Sequence, residues 1–250
     1  MSGGNETSRT DSLIPSKHPE LRLPGQCSNC PLRNLTVYDV NRAEGASEIE
    51  AMRRRCATFS ARRVICYEGD APTEVYQVFD GWAFRYKVTR DGRRQILSFI
   101  LPGDLIDLPL LNAERITHTV KSLTAISVCV FNRMQLSDFI YEDGQRARRA
   151  GAAFAAQSAA MDEQLLDLGQ RSAFERIARL LHHLAVQLRR RGLAENGCCR
   201  IPLTQMHIAD ATGLTAVHVG RTLREMRSSK LLSLAQGWLT IEDPMRLAAI

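Results

Sequence analysis

Two sets of residues in this 250-residue chain have side chains suited to chemistry. The first is a set of thiols: Cys27, Cys30, Cys56, Cys66, Cys129, Cys198 and Cys199. Cys27 and Cys30 have the Cys-x-x-Cys spacing of a dithiol switch or of half a metal site. The cysteine count is odd, and the opening MSGGNETSRTDSLIPSKHPE has no apolar run behind a basic start. A reducing cytoplasm, with no disulfide framework, is therefore expected. The second set is cationic. Residues 171–250 hold twelve Lys/Arg against six Asp/Glu, so the formal charge of +6 sits in the last third of the chain. Charge so placed suits a polyanionic partner. No nucleophile–base–acid set, phosphate loop or HExxH-type pair occurs, and catalysis is not expected.

The cationic residues fall on a recognisable local pattern. Thr204 reads as the N-cap of a short helix, TQMHIADATG, that Gly213 breaks. Thr215 caps a second helix, AVHVGRTLREMRSSK, with Val219, Leu223 and Met226 inward and His218, Arg221, Arg224 and Arg227 outward. Leu232 to Ile241, around Gly237, reads as a hairpin wing. Two crossed helices and a wing form a helix-turn-helix unit for duplex DNA. Thr215, Ala216, Val217, His218 and Arg221 would stand at base edges, with Arg221 gripping guanine; Arg224 and Arg227 would touch phosphate.

The elements that must hold this unit are α+β in class. Residues 1–36 read as a tail carrying the Cys-x-x-Cys, with a helical pattern from about Val37 to Arg55. Phe59 to Phe131 has β texture, with glycines at 69, 81, 92 and 103 marking turns, and defines a sensor-like β-roll over 37–140. Arg90-Asp91-Gly92 reads as a tight primed hairpin turn. A helix over 141–169, entered at Glu142-Asp143-Gly144, carries Ala147, Ala150, Phe154, Gln157, Met161, Gln164 and Leu168 at heptad spacing. That spacing suits a parallel helix pair, hence a homodimer, or an ordinary amphipathic helix. Ser172 to Glu175 is a capping box opening the last unit, 170–243, and a loop is expected through Gly197. No run approaches the ~20 apolar residues of a membrane span.

Taken together, the roll, the long helix, GQRSAFERIARLLHHLA and LTQMHIADATGLTAVHVGRTLREMRSSKLL resemble the Crp/Fnr family of bacterial transcription regulators, in its Fnr-like or FixK-like branch. The resemblance runs from about residue 27 to 243. It implies an N-terminal jelly-roll sensor domain of cyclic-nucleotide-binding type, a dimerisation helix and a C-terminal winged helix. It also implies a palindromic double-stranded DNA operator and RNA polymerase as partners. Members that bind cyclic AMP carry a glutamate and an Arg-Ser pair where Leu108 and His118-Thr119 stand here, so cyclic AMP is not expected: a buried phosphate would lack its cation. In the Fnr branch, Cys27, Cys30 and Cys129 match three ligands of a [4Fe–4S] cluster, while Thr36 stands in place of another cysteine. Asp39 or Cys66 could complete the set; a dithiol switch or inert cysteines are the other readings. Val217 replaces a glutamate of the family's reading helix, which implies a different half-site.

Overall fold

The computed structural model describes residues 21–36, 43–106, 111 and 113–250. Single-turn 3-10 helices at Cys27–Asn29 and Arg33–Leu35 precede α1 (Ala43–Met52). The roll follows: β1 (Arg53–Phe59), β2 (Val64–Cys66), β3 (Glu74–Asp80), β4 (Ala83–Val88), β5 (Arg94–Ile100), β6 (Leu105–Ile106), β7 (Thr119–Ser122) and β8 (Ile126–Asn132). Among the described residues these form two four-stranded antiparallel sheets, ordered β1-β8-β3-β6 and β2-β7-β4-β5.

The first sheet has both faces covered. Along β8, Ile126, Val128 and Val130 point between the sheets, while Cys129 and Phe131 point outward. That outer face is roofed by α1, α2 (Arg133–Tyr141) and the start of α3 (Gly144–Gln170), through Ile49, Leu136, Phe139, Ile140, Ala150 and Phe154. A strand buried on both faces is apolar nearly throughout: Ile126–Phe131 is buried at every position, and Ser127, its one polar member, donates its hydroxyl to the Arg22 carbonyl at 2.5 Å.

Two boundaries differ from expectation. Arg53, Arg54 and Arg55 read as a helix end, yet β1 begins at Arg53. Its residues pair along β8, with Cys56 opposite Cys129, and cross-strand pairing outweighs local helix propensity. In the β4–β5 turn only Gly92 is left-handed (φ 85°), so the chain closes a wider loop from Thr89 to Arg93 instead of a primed turn.

Asp143 caps α3, accepting from the N–H groups of Gln145 and Arg146, at the expected break. The heptad series turns mostly toward the chain's own roll. Ala150 is buried, Gln157 faces the Arg85 guanidinium at 2.7 Å, the Gln164 amide donates to the Ile96 carbonyl at 3.4 Å, and Leu168 lies against Gly213. Met161 alone of that series is exposed (53%), and beside it Leu165 (72%) and Leu166 (43%) face solvent.

The capping box forms as read: the Ser172 hydroxyl accepts from Glu175 N–H, and the Glu175 carboxylate accepts from Ser172 N–H at 2.8 Å. It opens α4 (Ala173–Arg190), which buries Ile177, Ala178, Leu181, Leu184, Ala185 and Leu188. Residues beyond α4 build β9 (Ala194–Glu195), β10 (Cys198–Arg200), α5 (Gln205–Thr212), α6 (Ala216–Ser228), β11 (Leu232–Ala235), β12 (Trp238–Ile241) and α7 (Pro244–Ala248). Instead of the expected loop before Gly197, β9 and β10 extend the wing into a sheet ordered β11-β12-β10-β9. Leu247 of α7 is buried in the same core, so this unit continues past residue 243.

The two halves share that core. Trp82 and Leu101 of the roll join the cluster led by α4. Around it, Arg94 pairs with Asp210 at 2.5 Å, Arg191 pairs with Asp104, and Gln95 donates to the Ala211 carbonyl at 3.2 Å. The His207 ring lies 5.7 Å from that of Phe84.

Candidate nucleic-acid interface

The geometry of the interface starts with two threonine caps. The Thr204 hydroxyl accepts the His207 N–H at 3.3 Å, and His207 Nδ1 accepts the Thr204 N–H at 3.1 Å, closing a capping box at α5. Gly213 ends α5 in the left-handed conformation (φ 68°), which reverses the chain without a Cβ clash. The Thr215 hydroxyl then accepts the His218 N–H at 3.2 Å and starts α6. The Thr204 hydroxyl also lies 3.0 Å from His207 Nδ1, whereas the Thr215 hydroxyl keeps its proton for an outside acceptor such as phosphate.

One face of α6 closes the helix crossing: Val219, Thr222 and Met226 are buried and Leu223 is half-buried. The opposite face is open. Val217, His218, Arg221, Arg224 and Arg227 are all exposed, as are Thr204 and Thr215, while Ala216 is half-buried. Arg221 and Arg227 make no ion pair among the described residues; Arg224 donates to the Gly220 carbonyl at 3.2 Å. The expected DNA-contact residues therefore share one exposed surface. Its helix N-terminus supplies unsatisfied N–H groups and its side chains supply cations, both suited to a phosphate backbone. The wing turn at its side is tight, with Gln236 (φ 52°) and Gly237 (φ 79°) both left-handed.

Sequence reasoning missed Gln205. Its carboxamide lies against α6 at Gly220, where an added Cβ would stand 2.8 Å from Gln205 Oε1. A glycine inside a helix costs roughly 1 kcal/mol relative to alanine, and here the close approach explains it. Gly220 in the helical run was the available signal.

The thiols do not assemble as a cluster site. Cys129 is buried, and burial pushes its thiol up to about 12 despite a hydrogen bond with Arg53. Burial also raises Cys27, with Arg53 drawing it back; the Cys27 N–H donates to the Glu50 carboxylate at 3.1 Å. Cys27, Cys56 and Cys129 lie around Arg53. Cys66 is buried between the sheets, in a different part of the core from Cys129, which removes it as a completing ligand. Asp39, the other completing residue considered, lies outside the described residues, as does Leu108. Among the described residues no three His, Cys, Asp or Glu side chains converge as metal ligands. A cubane cluster wants several thiolates gathered at one point, and Cys27, Cys30 and Cys129 do not fit it.

At the cyclic-phosphate position, His118 is buried and the Thr119 hydroxyl accepts the Glu68 N–H at 3.3 Å. Burial, with Arg85 and Lys87 nearby, lowers His118 from 6.5 to about 4. Between those values the unfolded chain holds the proton and the folded chain does not, so stability falls as pH drops from about 6.5 toward 4. His118→Gln is expected to flatten that part of the curve, as read from urea midpoints at pH 7 and pH 5.

No helix among the described residues is long and apolar enough to cross a membrane. Residues 57–143 match the family model described as a cyclic nucleotide-binding domain, and residues 175–250 match the Crp-like helix-turn-helix domain. The chain is 33% identical to the nitrogen fixation regulation protein FixK of Bradyrhizobium diazoefficiens, covering 90% of this chain and 93% of that one. It is 26% identical to the transcriptional activator protein FnrL of Cereibacter sphaeroides, over 84% of each. The solved structure of FixK2 from Bradyrhizobium japonicum superposes with a TM-score of 0.69 at 28% identity, covering 78% of this chain and 96% of that one. With a jelly roll, a long helix and a winged helix whose open face is cationic, and with relatives that match over nearly their whole length, this chain belongs to the Crp/Fnr family of DNA-binding transcription regulators.

Proposed function

We propose that the protein reads a palindromic duplex operator as a homodimer, with α6 of each protomer in the major groove. The observation that carries this reading is the open face of α6, where Val217, His218, Arg221, Arg224 and Arg227 stand exposed. Thr215, Val217, His218 and Arg221 would stand at base edges, with Arg221 on a guanine, and Thr204, Arg224 and Arg227 would touch phosphates. The apolar residues that α3 leaves in solvent, Met161, Leu165 and Leu166, support pairing with a second copy. Similarity to proteins named transcriptional activators supports RNA polymerase as the other partner. The test is a titration of operator duplex at several salt concentrations. Two chains per duplex are expected, and Arg224→Ala should lower the slope of log K against log salt by about 1 for every sequence alike. A slope unchanged by that substitution would remove Arg224 from the phosphate contacts.

A response to oxygen, nitric oxide or redox state is the second reading. It is supported by Cys27 and Cys30, two free, half-buried thiols at Cys-x-x-Cys spacing, the arrangement of a dithiol switch. Anaerobically purified protein is then expected to be colourless, with DNA binding that changes on oxidation and no longer does so in Cys27→Ser. A brown protein that bleaches in air would restore the cluster, and operator binding indifferent to oxidant would remove both.

A further inference from the structure

Val217 is an apolar side chain at the working end of a cationic helix. It stands two residues past the Thr215 cap, 75% exposed, between half-buried Ala216 and exposed His218. A helical side chain leans toward the N-terminus and covers the turn before it, so the residue one turn later normally shields its neighbour. Here the residues one turn on are Gly220, which has no side chain and where the Gln205 carboxamide occupies the space one would begin in, and Arg221, which is itself exposed. The isopropyl group is therefore left open on the surface that carries His218 and Arg221.

The chemistry of the major groove limits what such a group can recognise. Each base pair presents acceptors, an amine donor or, for thymine alone, a 5-methyl group. Valine can neither donate nor accept a hydrogen bond. Against a cytosine or adenine amine it would displace water and leave the amine unpaired, which is unfavourable. Against a thymine methyl it gains apolar contact and leaves no polar group stranded. The surrounding cations, Arg221 and Arg224, favour a nucleic acid over an apolar protein partner. We propose that Val217 is a specificity-determining residue that reads thymine: its methyl groups pack on the 5-methyl of one thymine in each half-site. This inference rests on the entry of α6 into the major groove proposed above.

The experiment isolates that methyl. A duplex is enriched from a random-sequence library by the purified full-length protein, and each thymine is then replaced singly by deoxyuridine, which lacks only the methyl group. At one position per half-site, deoxyuridine is expected to weaken wild-type binding about fourfold, the effect of burying one methyl. Val217→Ala, which removes both γ-methyl groups, should shrink that penalty to under about twofold with an unchanged thermal melt. Val217→Glu should instead enrich a base with an exocyclic amine at that position. The proposal is overturned if no thymine methyl affects wild-type binding, or if Val217→Ala keeps the full penalty. Arg221→Ala separates the two levels. If it relaxes a base position while no thymine methyl matters, thymine reading alone fails. If nothing is enriched, the placement of α6 fails and thymine reading with it.

Discussion

Arg221→Ala is expected to weaken operator binding by roughly 1–3 kcal/mol, about fivefold to 150-fold, and to relax selectivity at one base pair. The guanidinium is exposed on the open face of α6 and is engaged in no ion pair among the described residues. Its removal therefore leaves no buried partner stranded, and the folded domain should keep its stability within about 0.5 kcal/mol. A bidentate contact to guanine is worth more than a single phosphate contact, and it distinguishes base pairs, which a phosphate contact does not. Competition against a duplex library reads both quantities at once. If specific and random DNA lose affinity equally, Arg221 is a phosphate contact and the base assignment is wrong.

Trp82→Ala is expected to cost about 3–5 kcal/mol, the range for emptying a large aromatic site in a core. Trp82 belongs to the roll by sequence, yet its side chain is 7% exposed inside the cluster built by α4 and the winged helix. Its ring meets Phe99 edge-on, with centroids 6.4 Å apart. The cavity would open at the junction of the two halves, not within one of them. Calorimetry should then resolve two melting transitions in place of one, and proteolysis should cut first between α4 and the roll. The surrounding polar ties are weaker holds. Arg94–Asp210 is partly exposed to solvent and on the order of 1 kcal/mol, so it cannot by itself keep the halves together. A loss below about 1 kcal/mol in Trp82→Ala would show that the halves do not depend on a shared core.

Much of the DNA-reading unit was legible along the chain because its signals are local. A threonine cap is satisfied by the N–H three residues on, and a left-handed glycine ends its own helix; Thr204, Gly213 and Thr215 each do this. The same locality made one omission avoidable. Asn196 (φ 50°) and Gly197 (φ 76°) form the turn joining β9 to β10, and Asn-Gly is a strong hairpin signal. The flanking strands are only two and three residues long, too short to show a period-2 pattern, so the stretch read as loop.

Other features had no local trace. Heptad spacing in α3 correctly marked an apolar stripe, but Ala150, Gln157 and Gln164 on it meet the chain's own roll. The three cysteines matched a ligand pattern by order along the chain, and the fold then buried Cys129 and gathered no ligand set among the described residues. Sequence by itself determined the caps, the turns, the two faces of α6 and the position of the net charge, since each depends on residues a few positions apart. The tertiary structure alone decided which face of α3 is covered, that Trp82 joins the DNA-reading half, and that Gln205 lies against Gly220. Those contacts join residues far apart in the chain, and only packing of whole elements, with its shared burial of apolar surface, selects among the alternatives.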